Sequence, residues 1–253
     1  KAAVIWTDSY NSYITKSNVG TVSNTGNSST ITWGTPVALS YNGQQKTMCY
    51  ETIENKYVCF YVAWGGGNMR SGVGVESGNS ISWTNGVDGP SLDTKQIGCA
   101  FSHSAGKGVV TYARSSNTYY KVWSLSGTTL TYGAEGTLTS GIAEHSSVQY
   151  DAASDRWSAV VRTSGTNFKV YIGTLSGTTI TWSSVDKSVP NAGSLSRPNI
   201  VTAGTGQQLC TSAQGSNGLY GFVVRTATDA TNLTSENYVG VAAATVSDAA
   251  TAT

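Results

Sequence analysis

A three-residue motif recurs along the chain at nearly constant spacing, with an aliphatic residue two positions before an aromatic one. The four copies are ITW at 31–33, ISW at 81–83, LTY at 130–132 and ITW at 180–182. Their aromatic residues follow one another at intervals of 50, 49 and 50 residues. Because side chains alternate across a strand, both residues of a pair lie on one face of it. A fixed period of this length indicates one supersecondary unit that is repeated along the chain.

A series of asparagines accompanies this motif, fifteen residues before each of its last three aromatic residues, with Asn11 as the displaced equivalent in the first copy. It comprises Asn68, Asn117 and Asn167, and it continues at Asn217. Each asparagine lies in a segment rich in Gly or Ser, such as GGGNM or SGTNF. Since asparagine bonds its own turn and tolerates left-handed backbone, the series predicts a turn at a fixed place in every unit.

Each unit divides into four short runs with strand character. In the fourth copy they are SSVQY, RWSAVV, FKVYIGTL and TTITWSSV. The chain has 29 glycines but only 4 prolines, and 11% of its residues are charged, against about 25% in ordinary globular domains. Turns made by glycine and a surface of Ser, Thr and Asn favour an all-β protein. Four antiparallel strands in about fifty residues are typical of the blades of a β-propeller.

The sequence therefore predicts an all-β fold, a β-propeller of five four-stranded antiparallel blades. The five repeats are expected at about 1–40, 41–93, 94–143, 144–194 and 195–240. Their paired residues, which should occupy equivalent strands with the aromatic rings in the core, are Ile31/Trp33, Ile81/Trp83, Leu130/Tyr132 and Ile180/Trp182. A piece of a larger ring, or an open array of blades, is the alternative.

The first repeat begins at KAAVIW, which corresponds to the second strand of the other repeats. An open blade leaves an unpaired edge. We expect the run GVAAATVS, 240–247, to pair with residues 2–7, so that strands from the two ends of the chain close the fold. Residues 241–253 are then a closing strand or the start of a linker. The N-terminal segment has none of the features of a signal peptide, which fits a mature form or a piece of a longer chain.

Composition argues against several kinds of partner and cofactor. The net charge is +1 without any cluster of Lys or Arg, so no nucleic-acid partner is expected. No apolar run approaches the roughly 18 residues of a membrane span. His103 and His145 have no partner at metal-ligand spacing, so we expect neither a metal nor a cofactor. We interpret the four cysteines as free thiols, with a Cys49–Cys59 disulfide across a hairpin as the alternative.

The sequence also lacks the patterns of the common hydrolytic sites. It contains no G-x-S-x-G elbow and no S-x-D-x-G-x-x-W turn of the kind found in sialidases. A paired-carboxylate glycosidase needs two carboxyl groups about 5–9.5 Å apart. Candidates such as Glu135, Glu144 and Asp151 are unremarkable in their context. We therefore predict that the protein is not an enzyme, with a propeller glycosidase as the less favoured alternative.

Loops between the second and third strands of the repeats should gather on one face. They combine aromatic rings, which pack on the C–H groups of sugars, with amide and guanidinium groups, which bond hydroxyls. This pattern predicts a site for a glycan or a surface receptor. The candidate ligand-binding residues are Tyr10, Tyr13, Trp64, Asn68, Arg70, Arg114, Tyr119, Arg162, Asn167 and Tyr220.

The repeat resembles that of tail-fibre and other structural proteins of marine bacteriophages, and of some marine surface proteins. The resemblance rests on VGTVSNTGNSSTITWGTPV (19–37), VQYDAASDRWSAVV (148–161), IGTLSGTTITW (172–182) and the tail NLTSENYVGVAAATVSDAATAT (232–253). It implies a non-enzymatic attachment protein of a virion or a cell surface, whose partners are a glycan or receptor and other fibre or virion subunits. It supplies no catalytic residues. A purely structural spacer or filament domain is the alternative.

Overall fold

The structure of the protein, a computed structural model, consists of β-strands joined by turns and loops. It describes residues 1–8, 14–25, 28–63, 67–86, 88–92, 96–142, 145–163, 167–188, 195–204, 206–214 and 218–225. Within these ranges no residue lies in a helix, and accordingly no helix there is long and apolar enough to cross a membrane.

The described residues form eighteen strands. They are β1 (Ala2–Asp8), β2 (Ile14–Thr25), β3 (Ser28–Trp33), β4 (Val37–Glu51), β5 (Lys56–Ala63), β6 (Met69–Ser77), β7 (Ser80–Asn85), β8 (Gly98–Ser102), β9 (Lys107–Arg114), β10 (Asn117–Ser126), β11 (Thr129–Thr139), β12 (Ser146–Asp151), β13 (Arg156–Arg162), β14 (Asn167–Ser176), β15 (Thr179–Ser188), β16 (Leu195–Gly204), β17 (Gln207–Gln214) and β18 (Gly218–Arg225).

The chain folds as two compact units, Lys1–Ala143 and Glu144–Thr253. In the first unit, β8 to β11 form a four-stranded antiparallel sheet in chain order. In the second unit, β12 to β15 form an equivalent sheet, and β16 to β18 form a sheet of three described strands. Consecutive strands pair as hairpins throughout these sheets, as the sequence predicts. The run 240–247, predicted to close the fold, lies outside the described residues.

The first two repeats share one sheet because β4 pairs on both sides. Residues 37–42 of β4 pair with β2, and residues 43–51 pair with β5. The pairing with β5 shifts between Gln44 and Lys46, and Gln45 has a φ of 26°. Such a bulge bends the strand and increases its twist. The bend allows the first part of β4 to pair with β2 and the second part to pair with β5.

The first hairpin of repeats two, three and four is closed in the same way. Each turn ends at a residue with positive φ, namely Asn55 (57°), Gly106 (59°) or Asp155 (52°). The buried side chain before each turn accepts a hydrogen bond from a backbone N–H within it; these side chains are Glu51, Ser102 and Asp151. Asp151, considered as a catalytic carboxyl, is therefore a turn cap.

The hydrophobic core lies on the second strand of each of these repeats. Strands β5, β9 and β13 are buried along nearly their whole length, which requires neighbours on both faces. In the first unit, Phe60 of β5 packs against Trp123 of β10 with ring centroids 5.9 Å apart. In the second unit, Phe168 of β14 packs against Phe222 of β18 at 6.2 Å. Repeats two and three, and repeats four and five, therefore bury apolar surface against each other.

The recurring pairs occupy equivalent strands, as predicted. Trp33, Trp83 and Trp182 each lie opposite a glycine of the preceding strand, whereas Tyr132 lies opposite Trp123. The expectation that the aromatic rings lie in the core is confirmed only in part, since Trp83 and Tyr132 pack against buried clusters from their edges. Their aliphatic partners in the last three pairs are 2–4% exposed, whereas the rings are half-buried there and Trp33 is 42% exposed. The three tryptophan rings also cover the glycines opposite them, so they shield backbone at the edge of the interior.

The Cys49–Cys59 disulfide is not formed, and all four cysteines are free thiols. Cys59 pairs with Met48, and Cys49 pairs with Val58. The two cysteines are thus offset by one residue across the hairpin, which directs their side chains to opposite faces. Burial raises the pKa of Cys59 and of Cys210, so both thiols stay protonated in the core.

Candidate functional site

A cluster of polar and aromatic side chains surrounds the hairpin between β9 and β10 in the third repeat. We call it the Arg114 cluster, and its members are Tyr112, Arg114, Asn117, Tyr119 and Glu135. Tyr112 and Arg114 lie two positions apart on β9, so they share one face of the sheet. Tyr119 of β10 is the cross-strand partner of Tyr112. Glu135 is placed by β11, where it pairs with Lys121.

Glu135 is the centre of the Arg114 cluster. The Tyr112 hydroxyl donates to Glu135 Oε2 at 2.6 Å, and Arg114 forms an ion pair with Glu135 Oε1. The Arg114 guanidinium also lies over the Tyr119 ring, 4.9 Å from its centroid. Tyr119 stacks in turn against Tyr112 with centroids 6.2 Å apart. The guanidinium and carboxylate are therefore held in place before any ligand arrives.

Asn117 joins the cluster to the loop that follows β11. Its Nδ2 group donates to the Tyr119 hydroxyl at 2.8 Å, and its Oδ1 atom accepts from the Gly141 N–H at 2.8 Å. The turn itself has Ser115 at a φ of 56°. The predicted asparagine turn is thus present in this repeat, and its side chain orders a neighbouring loop as well as its own.

The exposed part of the cluster is polar. The side chains of Arg114 and Glu135 are 36% and 23% exposed, whereas Tyr112 is fully buried. Burial, followed by the hydrogen bond to Glu135, raises the pKa of Tyr112 above its ordinary value. Its hydroxyl therefore remains a donor at neutral pH. Solvent meets a guanidinium, a carboxylate and an amide, which together can accept from and donate to the hydroxyls of a ligand.

The second repeat carries a simpler arrangement at its β5–β6 loop. Arg70 forms an ion pair with Asp88, and Asn68 is exposed. Residues after β7 run beside the start of β6, where the Met69 N–H donates to the Pro90 carbonyl at 2.8 Å. Arg70 and Tyr119 stand at the same place, two residues after the asparagine of their repeats. At this position the second repeat therefore has an arginine in an ion pair, and the third repeat has an aromatic ring.

The second unit gives these residues different surroundings. The half-buried Arg162 donates its backbone N–H to the His145 carbonyl at 3.0 Å, and the Asn167 carbonyl accepts from the Thr163 N–H at 3.0 Å. Of Tyr220 only the backbone on β18 is described. Tyr10, Tyr13 and Trp64 lie outside the described residues.

The arginines named from the sequence do not recur at one structural position. Arg114 ends β9 opposite Asn117, Arg162 lies opposite Phe168, and Arg70 lies on the third strand opposite Tyr61. Arg114 and Tyr119 come together as members of one site. Sequence reasoning did not place Tyr112, Asn117 or Glu135 in that site. Asn117 carried a signal, because the asparagine series marks it.

Among the described residues, no group of three or more His, Cys, Asp or Glu side chains is arranged to hold a metal ion. His103 is exposed in the β8–β9 turn, where its Nδ1 atom lies 2.8 Å from the Thr52 hydroxyl.

No known protein family matches the sequence, and no curated protein resembles it significantly. Solved structures do resemble the fold. A triple mutant of AofleA from Arthrobotrys oligospora has a TM-score of 0.58 at 10% identity, with 85% of this chain and 62% of that chain covered. Aleuria aurantia lectin in complex with α-methyl-L-fucoside has a TM-score of 0.51 at 11% identity, with 89% and 74% covered. The NanB sialidase from Streptococcus pneumoniae has a TM-score of 0.52 at 12% identity, with 79% and 32% covered.

The chain is a β-propeller. Its five repeats are the blades, each built on the four-stranded antiparallel plan. Identities near 10% establish the fold and nothing finer. The chain spans less than two thirds of the length of the AofleA mutant and about a third of that of the sialidase.

The Arg114 cluster is not arranged for nucleophilic catalysis. A tyrosine beside a carboxylate and an arginine is the grouping that a tyrosine nucleophile requires. Such a nucleophile also needs access to substrate and a lowered pKa. Tyr112 is fully buried, and its pKa is raised rather than lowered. The cluster is suited to binding hydroxyl groups through Arg114, Glu135 and Asn117.

Proposed function

We propose that this propeller is a non-enzymatic carbohydrate-binding domain, and that the Arg114 cluster in its third blade binds hydroxyl groups of a glycan. The observation that carries the proposal is the partly exposed guanidinium–carboxylate pair, fixed on one side by Tyr119 and on the other by Tyr112. The fold similarity to a lectin structure that contains a fucoside supports the same class of function.

The geometry explains how a neutral ligand is held. A sugar hydroxyl donates to Glu135 and accepts from Arg114, so one diol bridges both charges without either charge being lost. Because the ion pair already restrains both side chains, ligand binding orders little that was free before. Hydrogen bonds to charged groups are worth about 1.5–3 kcal/mol each, which makes this pair the strongest polar contact the cluster offers.

The experiment is a glycan array probed with the wild-type protein and with Glu135→Gln. The substitution keeps the shape of the side chain and removes its charge, so we expect binding of the retained glycans to fall about tenfold or more. Arg156→Gln is the matched control, since Arg156 belongs to the fourth repeat and not to the Arg114 cluster, and its guanidinium donates to the neighbouring Asp155 carbonyl at 3.2 Å. Binding that is equal in all three proteins excludes the Arg114 cluster. An array without any retained glycan favours a structural spacer.

We propose further that the chain is an attachment domain of a phage fibre or another extracellular surface structure. The sequence repeat described above supports this placement, and so does a surface in which Ser, Thr and Asn replace charged residues. Its partners are then a cell-surface glycan or receptor and other fibre or virion subunits. Labelled protein should bind marine bacterial cells saturably, and the glycan found on the array should compete for that binding. Binding that no glycan displaces points to a protein receptor instead.

The similarity to a sialidase structure makes a propeller glycosidase the second candidate. A fluorogenic sialoside separates the two functions, because a binding domain leaves it intact. We expect no release of fluorophore by the wild-type protein. Release that is lost in Tyr112→Phe would show that the buried tyrosine is catalytic after all.

A further inference from the structure

A cavity of about 600 Å³ lies between the first and second blades. We call it the Tyr50 cavity, and the lining residues used below are Lys1, Tyr50, Asn55, Tyr57 and Glu76. Tyr50 and Asn55 flank the β4–β5 turn, and Glu76 precedes the β6–β7 turn. Both turns lie at the opposite strand ends from the β5–β6 loop, because antiparallel strands alternate in direction. The cavity is therefore separate from the end of the blades that carries Asn68 and Arg70.

Two tyrosine rings form one wall of the cavity. Tyr50 and Tyr57 are cross-strand partners, with centroids 4.9 Å apart and planes tilted by 58°. Tyr50 is 41% exposed, whereas Tyr57 is buried. The Tyr50 hydroxyl bonds Asn55 Oδ1 at 3.3 Å. An exposed ring that is braced from behind and at its tip offers a rigid apolar platform.

Polar groups face this platform. The Tyr57 hydroxyl donates to Glu76 Oε2 at 3.3 Å, and Glu76 Oε1 lies 3.5 Å from Lys1 Nζ. Burial, and then the neighbouring Glu76, raise the pKa of Tyr57 to about 12. The phenol therefore stays protonated and keeps the Glu76 carboxylate oriented. Asn55 is exposed beside the ring and contributes an amide.

Lys1 lines the cavity, and its hydrogen bonds decide which polar groups are left for a ligand. Its Nζ atom donates to the Gly78 carbonyl at 2.6 Å, to Asn79 Oδ1 at 3.0 Å and to the Thr21 hydroxyl at 3.1 Å. Three acceptors use the three donors of an ammonium group. The lysine thus serves the β6–β7 turn and has no N–H left for a ligand anion. Lys1 and Glu76 still form an ion pair, so their two charges largely offset each other. What the pair offers toward the cavity is the Glu76 carboxylate, a hydrogen-bond acceptor, with no unused N–H donor beside it.

We propose that the Tyr50 cavity is a second carbohydrate site, specific for a neutral pyranose. The sugar ring packs its C–H face on Tyr50, its hydroxyls donate to Glu76, and the Asn55 amide bonds a further hydroxyl. A single pyranose fits, since ligand cavities span about 300–1,000 Å³. An acidic sugar is disfavoured, because its carboxylate would meet an acceptor at Glu76 and no unused N–H at Lys1. With two sites at opposite ends of its blades, the domain would bind glycans bivalently, which strengthens attachment without new contacts.

Ligand-observed NMR with saturation transfer tests this site. The probes are the methyl glycosides of glucose, galactose, mannose and fucose, with methyl glucuronide as the acidic comparison. We expect transfer to at least one neutral glycoside. Titration should show its affinity to fall about tenfold or more in Tyr50→Ala and in Glu76→Gln, and to stay within about threefold in Tyr50→Phe, which keeps the ring. The acidic glycoside should show no transfer.

Controls separate this site from the one proposed in the third blade. Transfer that persists in Glu135→Gln but disappears in Tyr50→Ala belongs to the cavity. Transfer that disappears in Glu135→Gln, or survives both cavity variants, overturns the proposal, as does equal binding of the glucuronide or the absence of transfer to every neutral glycoside. Arg156→Gln is the matched surface control, and Tyr50→Phe separates loss of the ring from loss of the hydrogen bond to Asn55, because both variants break that bond and only Tyr50→Ala removes the ring.

Discussion

In the third blade, Gly108, Trp123 and Tyr132 lie side by side on the second, third and fourth strands. The corresponding row of the fourth blade is Trp157, Gly173 and Trp182. The glycine and the tryptophan have exchanged strands. In each blade a large ring covers the glycine beside it, since a Cβ atom at Gly108 would lie 2.0 Å from the Trp123 ring and one at Gly173 would lie 2.5 Å from the Trp182 ring. Close packing fixes the total side-chain volume of such a row. The two blades therefore share this volume and differ in which strand carries the glycine and which the tryptophan.

The two blades also differ four residues further along their second strands, at Tyr112 of β9 and Val161 of β13. The row that holds Tyr112 and Tyr119 in the third blade holds Val161 and Lys169 in the fourth. Both Tyr112 and Val161 are buried, so the strand keeps its place in the core. Only the third blade adds a hydroxyl there that bonds a carboxylate. The two blades thus share a scaffold, and of these two only the third carries the proposed binding chemistry.

The largest expected effect on stability comes from giving Gly108 and Trp123 of the third blade the residues that the fourth blade has there, Trp and Gly. Gly108→Trp should abolish folding or cost well over about 3 kcal/mol of unfolding free energy, because two indoles cannot share the space. Adding Trp123→Gly should restore most of that loss, since the double variant reproduces Trp157 beside Gly173. Urea denaturation of both single variants and the double variant measures the coupling. A double variant as unstable as the sum of the two changes would show that volume is not what the row repeats.

Substituting alanine for the glycine of each row compares how much room the neighbouring ring leaves. Gly108→Ala should cost about 3 kcal/mol, because its neighbour Trp123 is 1% exposed and cannot move. Gly173→Ala should cost about 1 kcal/mol, since the half-buried Trp182 can shift outward. Gly20→Ala should cost less still, because Ile31 and Trp33 beside it are 45% and 42% exposed. Thermal melting of the three variants gives the order, and an equal loss at all three glycines would contradict it.

The repeat, the strand class and the register of the paired residues could be read from the sequence, because a period of about fifty residues is visible without any long-range information. The volume exchange between Gly108 and Trp123 could not. It depends on which residue lies across the strand, and a period in one strand does not give the pairing with the next. The exposure of Trp33 was missed for a related reason. The sequence does not show which strands lie at the edge of a sheet, and β3, which pairs with β2, is exposed over all six residues.

The Arg114 cluster was only half predictable. Arg114 and Tyr119 stood out as an arginine and a ring beside a turn. Glu135 did not, because the pairing of β10 with β11 shifts between Lys121 and Trp123. That irregularity sets which residue of β11 lies opposite Lys121, and no local pattern encodes it. The cavity beside Tyr50 was missed because its lining comes from four strands and two repeats.

Alkaline pH should distinguish the third blade from the fourth, where valine replaces Tyr112. The folded state raises the pKa of Tyr112 above the unfolded value of about 10. Below pH 10 the stabilisation is complete; above it the unfolded chain releases a proton that the folded chain retains. Stability therefore falls by up to about 1.4 kcal/mol per pH unit for each such tyrosine. Tyr57 and Tyr132, whose pKa values rise to about 12, contribute between pH 10 and 12.

Tyr112→Phe should thus have two opposite effects. It loses the hydrogen bond to Glu135 and about 1–2 kcal/mol at pH 7, but its stability should fall less steeply above pH 10. Urea midpoints at intervals from pH 7 to pH 11 measure both, and Val161→Ile in the fourth blade serves as a core control without a titrating group. A slope that is unchanged in Tyr112→Phe would mean that this tyrosine does not titrate on unfolding.

The smallest expected effect concerns two of the ion pairs described in the first unit, those formed by Arg114 and Arg70. Arg114–Glu135 is braced by two tyrosines, whereas Arg70–Asp88 joins a side chain that is 28% exposed to one that is 47% exposed. Exposed pairs contribute about 0.2–1 kcal/mol, and the value falls as water and salt screen the charges. Double-mutant cycles with Gln and Asn replacements should therefore give the larger coupling for Arg114–Glu135, at the upper end of that range, and a coupling near zero for Arg70–Asp88. Added salt should reduce the second more completely than the first. A larger coupling in the second blade would mean that Tyr112 and Tyr119 do not hold the pair, and the preorganisation on which the proposed glycan site depends would be lost with it.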